Sequence, residues 1–99
     1  MLKIDQEMKG TDLIFTLEGR LDTTTAPQLE NELKKSLDGV KKLTFDFKAL
    51  EYISSAGLRV LLWAQKTMNT QGEMKVLHVQ SDIMDVFTIT GFADVLTIE

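Results

Sequence analysis

The 99-residue chain has no cysteine, a single proline, a single histidine and no apolar run near the roughly 20 residues a membrane span needs. Without cysteine, disulfides and thiolate metal sites are excluded, and a reducing cytoplasmic setting fits. His78 stands among apolar neighbours in an expected strand, and no G-x-S-x-G elbow surrounds any serine, which disfavours a serine hydrolase. No glycine-rich run with lysine precedes a helix, so a phosphate-binding loop is weakly supported. No basic stripe offsets the formal net charge of −4, which argues against a nucleic-acid partner. The N-terminus MLKIDQEMKG alternates apolar and charged residues, the pattern of a strand and not of a signal peptide.

What is present suits one soluble α/β domain spanning residues 1–99. The hydrophobic fraction is 43% and the charged fraction 26%, both ordinary for a globular protein. Leu2, Ile4 and Met8 share one face of a first strand, and Lys9-Gly10-Thr11-Asp12 is turn chemistry. Leu13, Phe15 and Leu17 share a face of a second strand, Asp12 to Glu18, which should pair with the first as an antiparallel hairpin. A helix follows, with Thr25 as expected N-cap, Gln28 completing a capping box, and Gly39 as its C-terminal stop. Ala26, Leu29, Leu33 and Leu37 form its apolar stripe.

Lys42 to Phe47 reads as a third strand, and Ala56 to Thr70 as a second helix with Leu58, Leu61, Leu62 and Met68 facing inward. Met74 to Val79 is dense in apolar residues and reads as a central strand. Ser81 should cap a third helix that buries Ile83, Val86 and Phe87 and closes at Gly91, with Val95 to Ile98 a short fifth strand. Short links and right-handed crossovers turn the order ββαβαβαβ into a two-layer domain. The expectation is a mixed five-stranded sheet, its first strand antiparallel, with three helices on one face.

The chemistry concentrates around Ser54-Ser55-Ala56-Gly57. Two adjacent hydroxyls stand where a helix exposes unpaired N–H groups, a place that suits either plain capping or an anion. Asp22, Asp46 and Glu51 are the acidic residues expected near this helix start, since loops after parallel strands gather at one end of a sheet. No spacing among them specifies Mg²⁺, and neither a metal nor a cofactor is expected. On a 100° helical step Val60 and Trp63 fall away from the Leu58/Leu61/Leu62 stripe, beside Arg59, Lys66 and Thr67. An outward Trp there reads either as a partner surface or as a ring covered by a loop or long side chain.

YISSAGLRVLL after a TFDF strand, with GRLDTTTAPQLE upstream and TGFADVLTI downstream, resembles the STAS domain family over nearly the whole chain. The resemblance is to its small stand-alone members, the bacterial anti-sigma factor antagonists. It implies a β/α superhelix that works by partner switching and has no catalytic activity of its own. The unphosphorylated antagonist binds an anti-sigma factor that is also a serine kinase, phosphorylation of one serine breaks the complex, and a serine phosphatase reverses it. The family pattern places the phosphoacceptor at Ser55, with Ser54 as a competing acceptor where many relatives carry Asp. The expected contact set is Asp22, Thr23, Thr24, Ser54, Ser55, Ala56, Gly57 and Arg59, to which the helical angles add Val60 and Trp63. A monomer without nucleic-acid or membrane contacts is expected, with self-association left open. The alternative is a STAS regulatory module that binds a nucleotide, a lipid or another signalling protein.

Overall fold

Alternation in the first 21 residues becomes a hairpin. In the computed structural model, which describes residues 1–99, β1 (Leu2–Lys9) runs antiparallel to β2 (Asp12–Leu21), with Leu2 opposite Gly19 and Lys9 opposite Asp12. Gly10, at φ +63, supplies the left-handed turn residue. The chain continues through α1 (Ala26–Ser36), β3 (Lys42–Ile53), α2 (Ser55–Gln71), β4 (Glu73–Leu77) and α3 (Ser81–Thr90), then a 3₁₀ turn over Phe92–Asp94. The sheet order is β1-β2-β3-β4, with β2, β3 and β4 parallel.

One face of this sheet is the core. Leu13, Phe15 and Leu17 of β2, Leu43, Phe45 and Phe47 of β3, and Met74 and Val76 of β4 are all buried, as alternation requires. Phe15, Phe45, Phe47 and Phe87 form a line of rings with centroids 5.8, 5.9 and 6.4 Å apart, which ties α3 to the sheet. Such contacts add about 1 kcal/mol each beyond the buried area. Leu29 and Leu33 bury α1 as expected, and the Gln71 side chain of α2 donates to the carbonyls of Leu37 and Val40, both at 2.7 Å.

Several expectations are corrected. The sheet has four strands, not five: beyond β4 there is only a parallel bridge between Val76 and Ile98. The 3₁₀ turn uses up the residues before it, and Val76 alone exchanges hydrogen bonds, with Thr97 and Glu99. β4 is therefore an edge strand, not a central one. His78 lies just past it at φ +58, not in a strand. β2 and β3 run on to Leu21 and Ile53, because two irregularities in their pairing shift β3 by one residue each and break its simple alternation.

Helix starts differ too. Thr25 caps nothing with its side chain: its hydroxyl donates to the Arg20 carbonyl at 2.8 Å. Gln28 reaches the Leu2 carbonyl at 3.2 Å, so no capping box forms. α1 ends at Ser36 with Leu37 as its C-cap, so Gly39 lies beyond the helix stop. Gln80, not Ser81, precedes α3, and Val86 is only half-buried.

Candidate functional site

The site is built where β2 and β3 end side by side. Leu21 pairs with Ile53, and the N–H of Ser54 donates to the Leu21 carbonyl at 2.9 Å. One strand then turns into the Asp22–Thr25 loop and the other into α2. Ser54 is in extended conformation and its Oγ accepts from the N–H of Gly57 at 3.3 Å, the geometry of an N-cap. Ser55 is the first residue of α2, and it is exposed. Gly57 is required by close approach: a Cβ there would lie 2.7 Å from Leu21 Cγ and 2.9 Å from Ile53 Cγ1.

Asp22 organises the neighbouring loop. Its carboxylate accepts from the Thr24 hydroxyl at 2.8 Å and from the N–H groups of Thr24 and Thr25 at 3.0 and 3.1 Å. The Thr24 hydroxyl and these N–H groups hold the Asp22 carboxyl below the ordinary carboxylate range, against a smaller opposing effect of burial. Asp22 thus closes the turn that leads into α1, without capping the helix itself. Thr23 and Thr24 are exposed on its rim.

Between the first turns of α1 and α2 runs a groove of about 190 Å³, lined by Thr23, Ala26, Pro27, Glu30, Ala56, Arg59 and Val60. The structure therefore brings together Asp22, Thr23, Thr24, Ser54, Ser55, Ala56, Gly57 and Arg59. Val60 differs from expectation: it is buried, because its side of α2 packs on α1, and only its edge reaches the groove. Leu62, expected inside, is half-buried instead. Trp63 is half-buried too, with the Lys34 Nζ of α1 5.9 Å from its ring centroid, so a long side chain partly covers it.

Two of the three expected acidic neighbours lie elsewhere. Asp46 pairs across to β4 seven residues before Ile53, roughly 20 Å along the strand from the site. It bonds the Lys48 N–H and His78 Nδ1, both at 3.0 Å, which takes the one histidine away from Ser55. Burial pushes the Asp46 carboxyl up, but these partners outweigh it and the net shift is downward. Glu51 is exposed and lines a different depression with Met1, Lys3 and Glu18. No group of three or more His, Asp or Glu side chains converges anywhere in the chain.

Sequence reasoning missed Arg20 and Tyr52. The Arg20 guanidinium lies 4.2 Å from the Tyr52 ring centroid, with Nε 3.9 Å from Asp22 Oδ2. The two residues are register partners only because of the β3 irregularity. Strict alternation from Phe47 would not have paired them.

A four-stranded α/β layer with helices on one face, and an exposed serine opening a helix beside a structured acidic turn, define a small binding domain. Residues 3–99 match the family model described as the STAS domain. BtrV of Bordetella bronchiseptica, named as an anti-sigma factor antagonist, is 39% identical over 99 residues, covering 98% of this chain and 85% of that protein. The crystal structure of an anti-sigma factor antagonist from Mycobacterium paratuberculosis superposes with a TM-score of 0.89 at 20% identity, covering 99% of this chain and 85% of that one. The Bacillus cell fate determinant SpoIIAA in its phosphorylated form gives a TM-score of 0.77 at 18% identity, covering 98% and 91%. The chain belongs to the STAS domain family.

Proposed function

We propose that the chain is an anti-sigma factor antagonist whose binding is switched by phosphorylation of Ser55. One observation carries the choice of residue. Ser55 is exposed at the first position of α2, whereas Ser54 is half-buried with its Oγ engaged as the cap. The partner is an anti-sigma factor that is also a serine kinase, a serine phosphatase restores the free hydroxyl, and the cycle runs in the cytoplasm. The likeness to proteins named as anti-sigma factor antagonists supports this reading.

The electrostatics fit such a switch. A phosphate adds about −1.5 to −2 charge. At the start of α2 the helix dipole and free N–H groups stabilise it by about 0.3–1 kcal/mol, so the domain tolerates the modification. Disruption then arises at the interface, where the phosphate adds bulk, resists desolvation and is repelled by the nearby Asp22 carboxylate. The contact surface comprises Asp22, Thr23 and Thr24, the α2 start from Ser54 to Ala56, Arg59 and the open edge of Trp63, while Gly57, expected in it, is buried against Leu21 and Ile53.

The domain has no catalytic role of its own in this scheme: its histidine is bonded to Asp46, far from Ser55. Nucleotide binding in the groove beside Ser55 is less well supported, because this groove is smaller than the about 300 Å³ of a typical ligand pocket and Glu30 shares it with Arg59. Mass spectrometry after incubation with the cognate kinase and ATP tests the assignment. Labelling is expected at Ser55, and a Ser55→Ala protein labelled as strongly as wild type would sink it.

A further inference from the structure

Charge is distributed very unevenly along this chain. Residues 81–99 contain Asp82, Asp85, Asp94 and Glu99 and no Lys, Arg or His. The chain holds 15 acidic and 11 basic residues, so the first 80 balance at 11 of each and the whole net charge of −4 resides in the last 19. None of the four acidic side chains lies within ion-pairing distance of a cation; every ion pair in the molecule falls between Glu7 and His78.

The same segment carries an unpartnered apolar anchor. Ile89 is 84% exposed, the most exposed large hydrophobic side chain after Met1, and Val95 is 47% exposed. On α3, Asp82, Asp85 and Ile89 stand at i, i+3 and i+7 and share the outer face, with half-buried Val86 beside them. The opposite face is fixed by Ile83 and Phe87, both buried, and the Gln80 side chain donates to the Lys48 carbonyl at 2.7 Å. The outer face is therefore backed by the core.

We propose that the outer face of α3 is a second docking surface, distinct from the Ser55 switch, for a basic amphipathic helical segment of a protein partner. Charge complementarity selects that occupant. A second copy meeting it through the same face presents the same Asp82 and Asp85 carboxylates, and nucleic acids and anionic bilayers are repelled for the same reason. An apolar side chain of the segment covers Ile89, while its Lys or Arg residues meet Asp82 and Asp85. This surface does not depend on the phosphorylation reading, and a protein that never labels at Ser55 would still use it.

The test uses the full chain, ¹⁵N-labelled, and three synthetic helix-forming peptides: Leu on one face with Lys elsewhere, the same with Glu for Lys, and Ser for Leu with Lys retained. Chemical-shift changes on adding the Lys/Leu peptide are expected on Asp82–Ile89 and Val95, weakening as salt rises from about 50 to about 300 mM. Ile89→Ser and Asp85→Lys should each weaken binding about tenfold while leaving the rest of the spectrum unchanged. Asp82 is left intact, because it also complements the α3 dipole. Equal binding of the Lys/Ser or Glu/Leu peptide, shifts centred on Ser54–Trp63, or no binding would overturn the proposal. Sedimentation showing a dimer lost in Ile89→Ser, or binding to anionic vesicles through Ile89, would replace it with a self-interface or a membrane face.

Discussion

The N–H of Ser54 donates to the carbonyl of Leu21 at 2.9 Å, and this hydrogen bond holds the start of α2 against the Asp22 turn. Two stretches more than thirty residues apart in sequence thereby become one surface. The bond also separates the duties of the paired serines: Ser54 faces the fold and Ser55 faces solvent.

Ser54→Ala should destabilise the domain by about 1 kcal/mol, the usual worth of a lost N-cap. Ser55→Ala removes no hydrogen bond of the fold and should stay within about 0.5 kcal/mol of wild type. Urea unfolding of the two variants measures the difference. Equal losses would mean that the cap is shared.

Gly57→Ala should cost about 1–3 kcal/mol, because the new methyl enters space occupied by Leu21 and Ile53. The damage should be local. Amide exchange would quicken at Ser54 and Leu58 while the Phe15–Phe45 centre stays protected. Unchanged stability would show that the two strand ends can separate without penalty.

Stability should fall in acid through two identified carboxyls. Asp22 and Asp46 both sit below their ordinary value of 3.8 in the folded chain. A depressed folded pKa means the unfolded state binds protons more readily. The stabilisation is therefore complete above about pH 4–5 and is lost as pH falls through the folded values. Asp22→Asn and Asp46→Asn should each flatten that decline when urea midpoints are compared at falling pH. Curves parallel to wild type would remove these residues from the account.

The layout was legible because the core strands alternate cleanly: Leu13/Phe15/Leu17 and Leu43/Phe45/Phe47 each bury every second residue. Errors arose where tertiary context overrides local pattern. The apolar run of β4 is that of a strand buried against helices on one side and edged by Thr97–Glu99, which no periodicity separates from a central strand. Val60 was placed outside by a single-stripe view of α2, but that helix packs on both the sheet and α1. Arg20 and Tyr52 meet only through a shifted register, which local spacing does not encode. The serine pair and the preference for Ser55 were both legible from the family pattern, whereas the engagement of Ser54 Oγ by the Gly57 N–H required the structure.

The most direct test of the proposed switch is calorimetric titration of the purified anti-sigma partner with the unmodified chain and with the chain phosphorylated at Ser55. The account predicts a loss of about 100-fold or more in affinity, of the order expected for a desolvated charge at an interface, with a melting temperature within a few degrees of the unmodified protein. Equal affinity of the two forms, or a phosphorylated domain that no longer folds, would contradict it.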